Sequence, residues 1–158
     1  MSEVYSRAQL LDICKQLRCD DTFGDGKHAL GLMEIDRFQE IRAEIGYEKT
    51  DELLYHIEKV MEQITDSMKD VIAAKLNYST FLIILHNSDD MDDIKARFEK
   101  IHRIFHKLDV NGVTITVSIG ASQCMHDKNR GFTCVIDSAL GALVKAQRSG
   151  NNVVVTGF

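Results

Sequence analysis

The order of helical and extended segments, inferred from the spacing of apolar residues, constrains the fold of this chain most strongly. Residues 28–35 are nearly all apolar and follow a glycine-containing turn, which predicts a buried strand with Glu34 and Asp36 at its C-terminal edge. Residues 3–18 carry apolar side chains at helical spacing and predict an N-terminal amphipathic helix. The complete predicted order is α-β-α-α-β-β-α-β-α-β.

Two helices are predicted to follow the buried strand directly. They cover residues 37–44 and 50–68, and Gly46 separates them. Thr50 is the predicted N-cap of the second helix, because a threonine hydroxyl can accept a hydrogen bond from a backbone N–H of the first turn.

A β-hairpin is predicted next, from two β-prone runs that only a few residues separate. The runs are residues 71–76 and 80–85, and Asn77, Tyr78 and Ser79 form the tip. The remaining predicted elements are a long amphipathic helix over 91–107, a half-buried strand over 113–118, an apolar helix over 135–148 and a strand over 153–156.

The composition is that of a globular domain and disfavours several classes of protein. Of the 158 residues, 44% are hydrophobic and 27% are charged, and no linker interrupts the chain, so we expect residues 1–158 to form a single domain. The formal net charge of −5 disfavours a nucleic-acid partner, because phosphate contacts need a dense basic face. No apolar run approaches the roughly 20 residues that span a bilayer, and no secretory leader follows Met1, so we expect a cytoplasmic location.

Three segments resemble the GGDEF, or diguanylate cyclase, domain family. Residues 32–38 (LMEIDRF), followed by Gly46 and residues 51–54 (DELL), are similar to the family pattern L-x-D-I-D-x-F…G…G-D-E-x-L. Residues 117–120 (VSIG) and 146–152 (AQRSGNN) resemble its V-S-I-G strand and its closing A-K-x-x-G-R-N. The resemblance implies an α+β cyclase-like palm with a ferredoxin-like β-α-α-β-β-α-β core, in which helices flank a mainly antiparallel sheet.

The signature segment that gives the family its name departs from the pattern here. At the hairpin tip the family has G-G-D/E-E-F, and this chain has Asn77-Tyr78-Ser79-Thr80-Phe81. The family takes metal ligands from the first Asp of D-I-D and from the acidic third signature residue, positions that Glu34 and Ser79 fill here. Phosphoryl transfer depends on metal ions that neutralise developing charge, and neither Ser79 nor Thr80 supplies a carboxylate. We therefore expect no catalytic residues and no catalytic metal.

Nucleotide contacts are also reduced at the positions that the resemblance identifies. Three phosphate-binding cations of the family are replaced by Gln39, Gln147 and Asn151, and Tyr78 would place a bulky side chain where guanine or ribose lies. Asp51 has a second interpretation, as an acid in the first turn of a helix. The vestigial nucleotide-binding positions are Glu34, Ile35, Phe38, Arg42 and Asp51.

Two other kinds of site are not supported by the sequence. The family's inhibitory R-x-x-D motif would begin near Met68 and end near Val71, and neither residue fits. His102 and His106 are one helical turn apart, but no third metal ligand is evident, so we interpret them as solvated helix residues. We expect no inhibitory site and no metal site.

The sequence therefore favours a catalytically inactive GGDEF-like regulatory or interaction domain in cyclic di-GMP signalling, within a longer multidomain protein. The alternative is a GTP-binding sensor without turnover, using Glu34, the Ile35 carbonyl and Asp51, and an active diguanylate cyclase is least favoured. We expect no cofactor beyond weakly bound GTP with Mg²⁺. Expected partners are another protein or a neighbouring sensor, receiver or phosphodiesterase domain, with a homodimer as a further arrangement, contacted through Leu10, Leu11 and Leu17 of the N-terminal helix.

Overall fold

A six-stranded sheet with the order β1-β3-β4-β2-β7-β8 forms the centre of the molecule. The computed structural model describes residues 4–5, 8–9, 12, 25–88, 90–125, 131–150 and 153–156. The strands are β1 (Val4–Tyr5), β2 (Asp25–Ile35), β3 (Val71–Lys75), β4 (Thr80–Leu85), β5 (Leu108–Val110), β6 (Val113–Ile115), β7 (Val117–Met125) and β8 (Val153–Thr156). Strands β5 and β6 make a separate two-stranded hairpin.

The described helices cover both faces of the six-stranded sheet. They are α1 (Phe38–Ile45), α2 (Tyr47–Ser67), α3 (Met91–Phe105) and α4 (Gly131–Arg148). The order of elements from β2 to β4 is the predicted β-α-α-β-β, including the hairpin of β3 and β4. Only the β1–β3 and β7–β8 pairs are parallel, so the predicted mainly antiparallel α+β fold is confirmed.

Strand β2 is central because both of its faces are apolar. It pairs antiparallel with β4 on one side and with β7 on the other. Alternate residues project to opposite faces of a strand, so Met33 belongs to a core cluster with Ile57 of α2 and Phe98 of α3, whereas Leu32 packs in a second cluster with Leu143 of α4. This continuous burial fixes the position of the polar residues that follow at the end of β2.

The prediction of a helix over residues 3–18 is wrong at its start. Val4 and Tyr5 form β1, which pairs in parallel with β3. β-Branched and aromatic residues favour extended backbone, and the pairing covers an edge of the sheet. Residues 8–9 and 12 are helical, while the contact predicted for Leu10, Leu11 and Leu17 lies outside the described residues.

Thr50 is not the N-cap of the second helix of the pair. Helix α2 begins at Tyr47 with Gly46 as N-cap, and the Thr50 Oγ1 donates a hydrogen bond of 2.6 Å to the Gly46 carbonyl from within the helix. Gly46 has φ of 84°, a left-handed conformation that glycine adopts without a Cβ penalty. A single glycine therefore turns the chain from α1 into α2.

The strand predicted over residues 113–118 is two strands, β6 and β7, with a break at Thr116. The Thr116 carbonyl accepts a hydrogen bond of 2.9 Å from the Asp36 N–H, one residue beyond the last pair of the β2–β7 ladder. Strand β7 also continues beyond Gly120 to Met125, and the helix predicted over 91–107 ends at Phe105. Among the described residues, no helix has the length and apolarity to cross a bilayer.

Candidate functional site

A cavity of about 510 Å³ opens at the C-terminal end of β2. This volume is in the range of small-molecule sites, which are usually about 300–1,000 Å³. The predicted positions Glu34, Ile35 and Phe38 all line it, as does Ser79 of the hairpin tip. The other lining residues are Asp36, Arg37, Gln39, Glu40, Gln147 and Gly150.

Glu34 is the carboxylate that the sequence resemblance matched with a metal-ligand position of the GGDEF family. It lies opposite Thr80 of β4 and Ser118 of β7, so neutral hydroxyl residues flank it on both neighbouring strands. The Gln147 Nε2 of α4 donates a hydrogen bond of 3.1 Å to the Glu34 Oε2. The only described side-chain partner of this carboxylate is therefore an uncharged amide.

Asp36 ties the end of β2 to the start of β7. Its two carboxylate oxygens accept hydrogen bonds of 2.9 Å from the Thr116 Oγ1 and 2.7 Å from the Ser118 Oγ. The two hydroxyl residues are 80 and 82 positions away in the chain, so these long-range contacts fix the mouth of the cavity. The sequence pattern predicts Asp36 at the strand end but carries no signal for these two partners.

The charges around the cavity are predominantly negative. Glu34, Asp36 and Glu40 contribute three carboxylates, and Arg37 contributes the single cation among the described lining residues. The Arg37 Nε donates to the Glu40 Oε2 at 2.7 Å, so this cation is already paired with an acid of the same lining. An anionic ligand would meet net negative charge here.

The residues at and next to the hairpin tip differ in their burial and in their hydrogen bonds. The Ser79 carbonyl accepts a 3.0 Å hydrogen bond from the Ile35 N–H, and the Ser79 N–H donates to the Asn77 Oδ1 at 3.0 Å. Phe81 is 1% exposed and belongs to the core. Tyr78 is 67% exposed and does not line the cavity, so its side chain does not occupy the space beside Glu34.

Two predicted nucleotide-binding residues lie outside this cavity. The Arg42 guanidinium is 5.8 Å from the ring centroid of Phe38 and 5.4 Å from that of Tyr47, so it packs against aromatic rings on the helix surface. Asp51 lines a different cavity, of about 460 Å³, with Tyr55 and Asn111. The structure therefore brings together Glu34, Ile35 and Phe38 but not Arg42 or Asp51.

The prediction that His102 and His106 are both solvated helix residues is wrong, because His102 is half-buried in α3 and His106 is the residue that follows the helix. The His102 Nε2 lies 3.0 Å from the Val117 carbonyl oxygen, while its ring stacks on that of His106 with centroids 5.3 Å apart. The part of the chain that the structure describes contains no group of three or more His, Cys, Asp or Glu residues arranged to hold a metal ion.

Solved structures with the same fold include several cyclases. The chain superimposes with a TM-score of 0.80 and 20% identity on the diguanylate cyclase SiaD, solved in complex with its activator SiaC, from Pseudomonas aeruginosa, covering 96% of this chain and 58% of that one. The chain superimposes on the GGDEF domain of DgcB from Caulobacter crescentus, in complex with c-di-GMP, with a TM-score of 0.77 and 19% identity. The match covers 98% of this chain and 89% of that one. It superimposes on the active GGEEF domain of a diguanylate cyclase from Vibrio cholerae with a TM-score of 0.72 and 21% identity, and the match covers 97% of each chain.

The fold is thus that of the GGDEF cyclase domains. A family model described as "Diguanylate cyclase, GGDEF domain" matches residues 1–153, so the chain belongs to the GGDEF domain family of cyclic di-GMP signalling. No curated protein sequence is significantly similar to the chain.

Proposed function

We propose that this domain is a non-catalytic regulatory or interaction module of cyclic di-GMP signalling. The observation that carries the proposal is the environment of Glu34, which faces Thr80 and Ser118 across the sheet and bonds to the Gln147 amide. A pair of catalytic metal ions needs several anionic oxygens at this position, and the adjacent signature residue of the lining is the neutral Ser79. Of the other two carboxylates in the lining, Asp36 accepts hydrogen bonds from Thr116 and Ser118. Glu40 is paired with Arg37, so Glu34 is left as a poor anchor for two divalent ions.

The lining also disfavours a nucleoside triphosphate as substrate. Its three carboxylates are opposed by one guanidinium, which is paired with Glu40. A triphosphate bound here would leave its negative charges without charge-assisted hydrogen bonds and near like charges. We expect GTP with Mg²⁺ to bind more weakly than about 100 µM, which corresponds to less than about 5.5 kcal/mol of binding free energy.

The decisive test combines a turnover assay with a binding measurement. Purified protein incubated with GTP and Mg²⁺ or Mn²⁺ should yield no linear or cyclic dinucleotide above a control without enzyme, by chromatography with mass detection. Isothermal titration calorimetry with GTP and Mg²⁺ should give a dissociation constant above about 100 µM. Product formation by the wild-type chain would overturn the proposal.

A GTP-binding sensor without turnover remains a second candidate, because Glu34, Ile35 and Phe38 share one cavity of suitable volume. The variant Glu34→Gln distinguishes the two functions. If the domain is a Mg²⁺-dependent sensor, this substitution should abolish low-micromolar binding of GTP. If the domain is the proposed module, the weak affinity for GTP should stay unchanged or rise slightly, because a negative charge is removed. Glu48→Gln is the matched control, because Glu48 is exposed on α2 and does not line this cavity.

An interaction role requires a surface for a partner, and the solved complex of a cyclase with its activator gives a precedent in the same fold. Large apolar side chains are exposed on several described helices, among them Tyr47 and Tyr55 of α2 and Leu140 and Val144 of α4. Such residues contribute strongly to protein interfaces when they are covered. A neighbouring signalling domain or a second copy of the chain is the partner expected for such a surface.

A further inference from the structure

The outward face of α4 carries four exposed residues in a single row. They are Asp137, Gly141, Val144 and Arg148. Their spacing of four, three and four positions places them in line on a helix with about 3.6 residues per turn, and a rise of about 1.5 Å per residue makes the row roughly 16 Å long. We propose that this α4 row is a contact surface between two copies of the chain, in which the two helices pack antiparallel.

The α4 row lies on the side of the helix that faces away from the sheet. Ala139, Ala142 and Ala146 of the same helix are at most 1% exposed. At about 100° per residue, these buried positions lie about half a turn from the row. Leu140 borders the row and is exposed, as is Val144 within it. Two large apolar side chains therefore remain in water unless another surface covers them.

Gly141 is the residue of the row that the fold of a single copy does not explain. A glycine inside a helix is destabilising relative to alanine. At Gly141 an added Cβ would meet nothing within 4 Å, whereas at Gly31 it would lie 2.4 Å from the Phe98 ring. The packing of the chain on itself therefore requires a glycine at position 31 but not at position 141. The bare backbone of Gly141 allows a second helix to approach at the short end of the usual separation of about 8–10 Å between helix axes.

The charges at the two ends of the row select the antiparallel arrangement. Asp137 carries a negative charge at one end, and Arg148 carries a positive charge at the other. Neither side chain forms an ion pair within the part of the chain that the structure describes. A two-fold axis midway along the row places Asp137 of each copy opposite Arg148 of the other. Parallel helices would instead bring like charges together, which is unfavourable.

The same register brings the apolar residues of the two copies together. The two-fold axis passes between positions 142 and 143, so Gly141 lies opposite Val144 of the other copy. Leu140 projects from one flank of the row in both copies, where it can pack against Val144 across the axis. Lys145 projects from the opposite flank, so its ammonium group stays in water. The contact thus has an apolar centre and a charge pair at each end.

The contact is small, so its affinity should be low. Two helix faces of roughly 16 Å bury less than the roughly 1,200 Å² of a standard interface, which is the range of weak and transient complexes. Exposed charge pairs add little affinity, but they fix the register of the two helices. We expect a dissociation constant of about 0.1–1 mM for the isolated chain.

The test is an exchange of charges between the two ends of the row, measured by sedimentation equilibrium at protein concentrations up to about 1 mM. Asp137→Arg alone and Arg148→Asp alone each place like charges in both pairs, and each should weaken self-association at least about fivefold. The variant that carries both substitutions restores the two pairs with reversed polarity, so its affinity should return to within about twofold of the wild-type value.

Lys95→Asp is the matched control for the change in net charge. It makes the same change as Arg148→Asp, at an exposed position of α3 away from the row. Its self-association should stay within about twofold of that of the wild-type chain, because only long-range repulsion changes.

A wild-type chain that stays monomeric throughout this range of concentration would overturn the proposal. Single variants that associate like the wild type, or a double variant that does not recover, would also overturn it. If a variant fails to fold by circular dichroism, the wild-type chain decides the question, because dilution should shift the amide resonances of residues 137–148 and leave those of α3 unchanged. None of these measurements uses a nucleotide, so the result is independent of the proposed function.

Discussion

At Gly120 the backbone of β7 touches the backbone of α4. A Cβ added to this residue would lie 2.0 Å from the Leu143 nitrogen and 2.6 Å from the Ala139 carbonyl oxygen. These atoms belong to a helix backbone and cannot rotate away, in contrast to the Phe98 ring that faces Gly31. The residue type at position 120 is thus dictated by the approach of a helix rather than by the local conformation of the strand.

Gly120→Ala should lower the free energy of unfolding by about 3 kcal/mol, because α4 must move away from the sheet. Gly141→Ala is the matched control on α4, where an added Cβ meets nothing within 4 Å. It should stabilise the protein by about 0.5–1 kcal/mol, since alanine favours the helix over glycine. Urea unfolding measures both changes, and equal midpoints for the two variants would contradict the close contact.

Restoring the acidic signature residues should not restore catalysis. Thr80 is 9% exposed and lies directly opposite Glu34, so Thr80→Glu places two carboxylates across the β2–β4 ladder. Like charges at this position cost about 1 kcal/mol without a metal ion to neutralise them. We expect Ser79→Asp with Thr80→Glu to melt below Ser79→Asn with Thr80→Gln, and to form no cyclic di-GMP. Dinucleotide product in the acidic variant alone would show that these two positions suffice to explain the inactivity that we propose.

Helix α4 has one buried face and one exposed apolar face. Ala139, Ala142 and Leu143 pack against the sheet, whereas Leu140 is 46% exposed and Val144 is 45% exposed. These last two residues are one helical turn apart, so they form a continuous apolar strip. We propose this strip as a contact surface, because covering it would remove two apolar side chains from water.

Leu140→Glu with Val144→Glu should reduce self-association without changing the fold. Sedimentation equilibrium should show a higher average mass for the wild-type chain than for this variant at high protein concentration, because burial of two apolar side chains favours association. Lys145→Glu tests whether the added negative charge alone is responsible, since Lys145 is exposed on the neighbouring face of the same helix. Identical masses for all three proteins would exclude the strip as a contact between copies.

Elements with a strong local pattern were predictable, and their interruptions were not. The apolar stripe of α2 and the two β-prone runs of β3 and β4 predicted these elements nearly to their ends. The break at Thr116 depends on its hydrogen bonds to Asp36, which is 80 residues away in the chain. Alternation of apolar and polar residues carries no information about such a partner, so residues 113–118 were predicted as one strand.

For the whole molecule, motif matches located the candidate site but not its contacts. Glu34, Ile35 and Phe38 line one cavity as the family pattern implies, because they lie on one strand end. The separation of Arg42 and Asp51 from that cavity follows from how α1 and α2 pack, which residue types at fixed spacing do not encode. The bond between Gln147 and Glu34 joins residues 113 positions apart and likewise appears only in the folded chain.

The central place of β2 has a consequence for how the chain folds. Its ladder partners, β4 and β7, both follow it in the sequence, and contacts such as that of Ser118 with Asp36 span 82 residues. During synthesis this central strand therefore leaves the ribosome with both of its edges unpaired, and its neighbours arrive later. Non-local pairing of this kind slows folding, whereas the β3–β4 hairpin closes locally and early. A nascent chain that ends before β7 leaves one long edge of β2 open, and it should depend on chaperones far more than the finished domain.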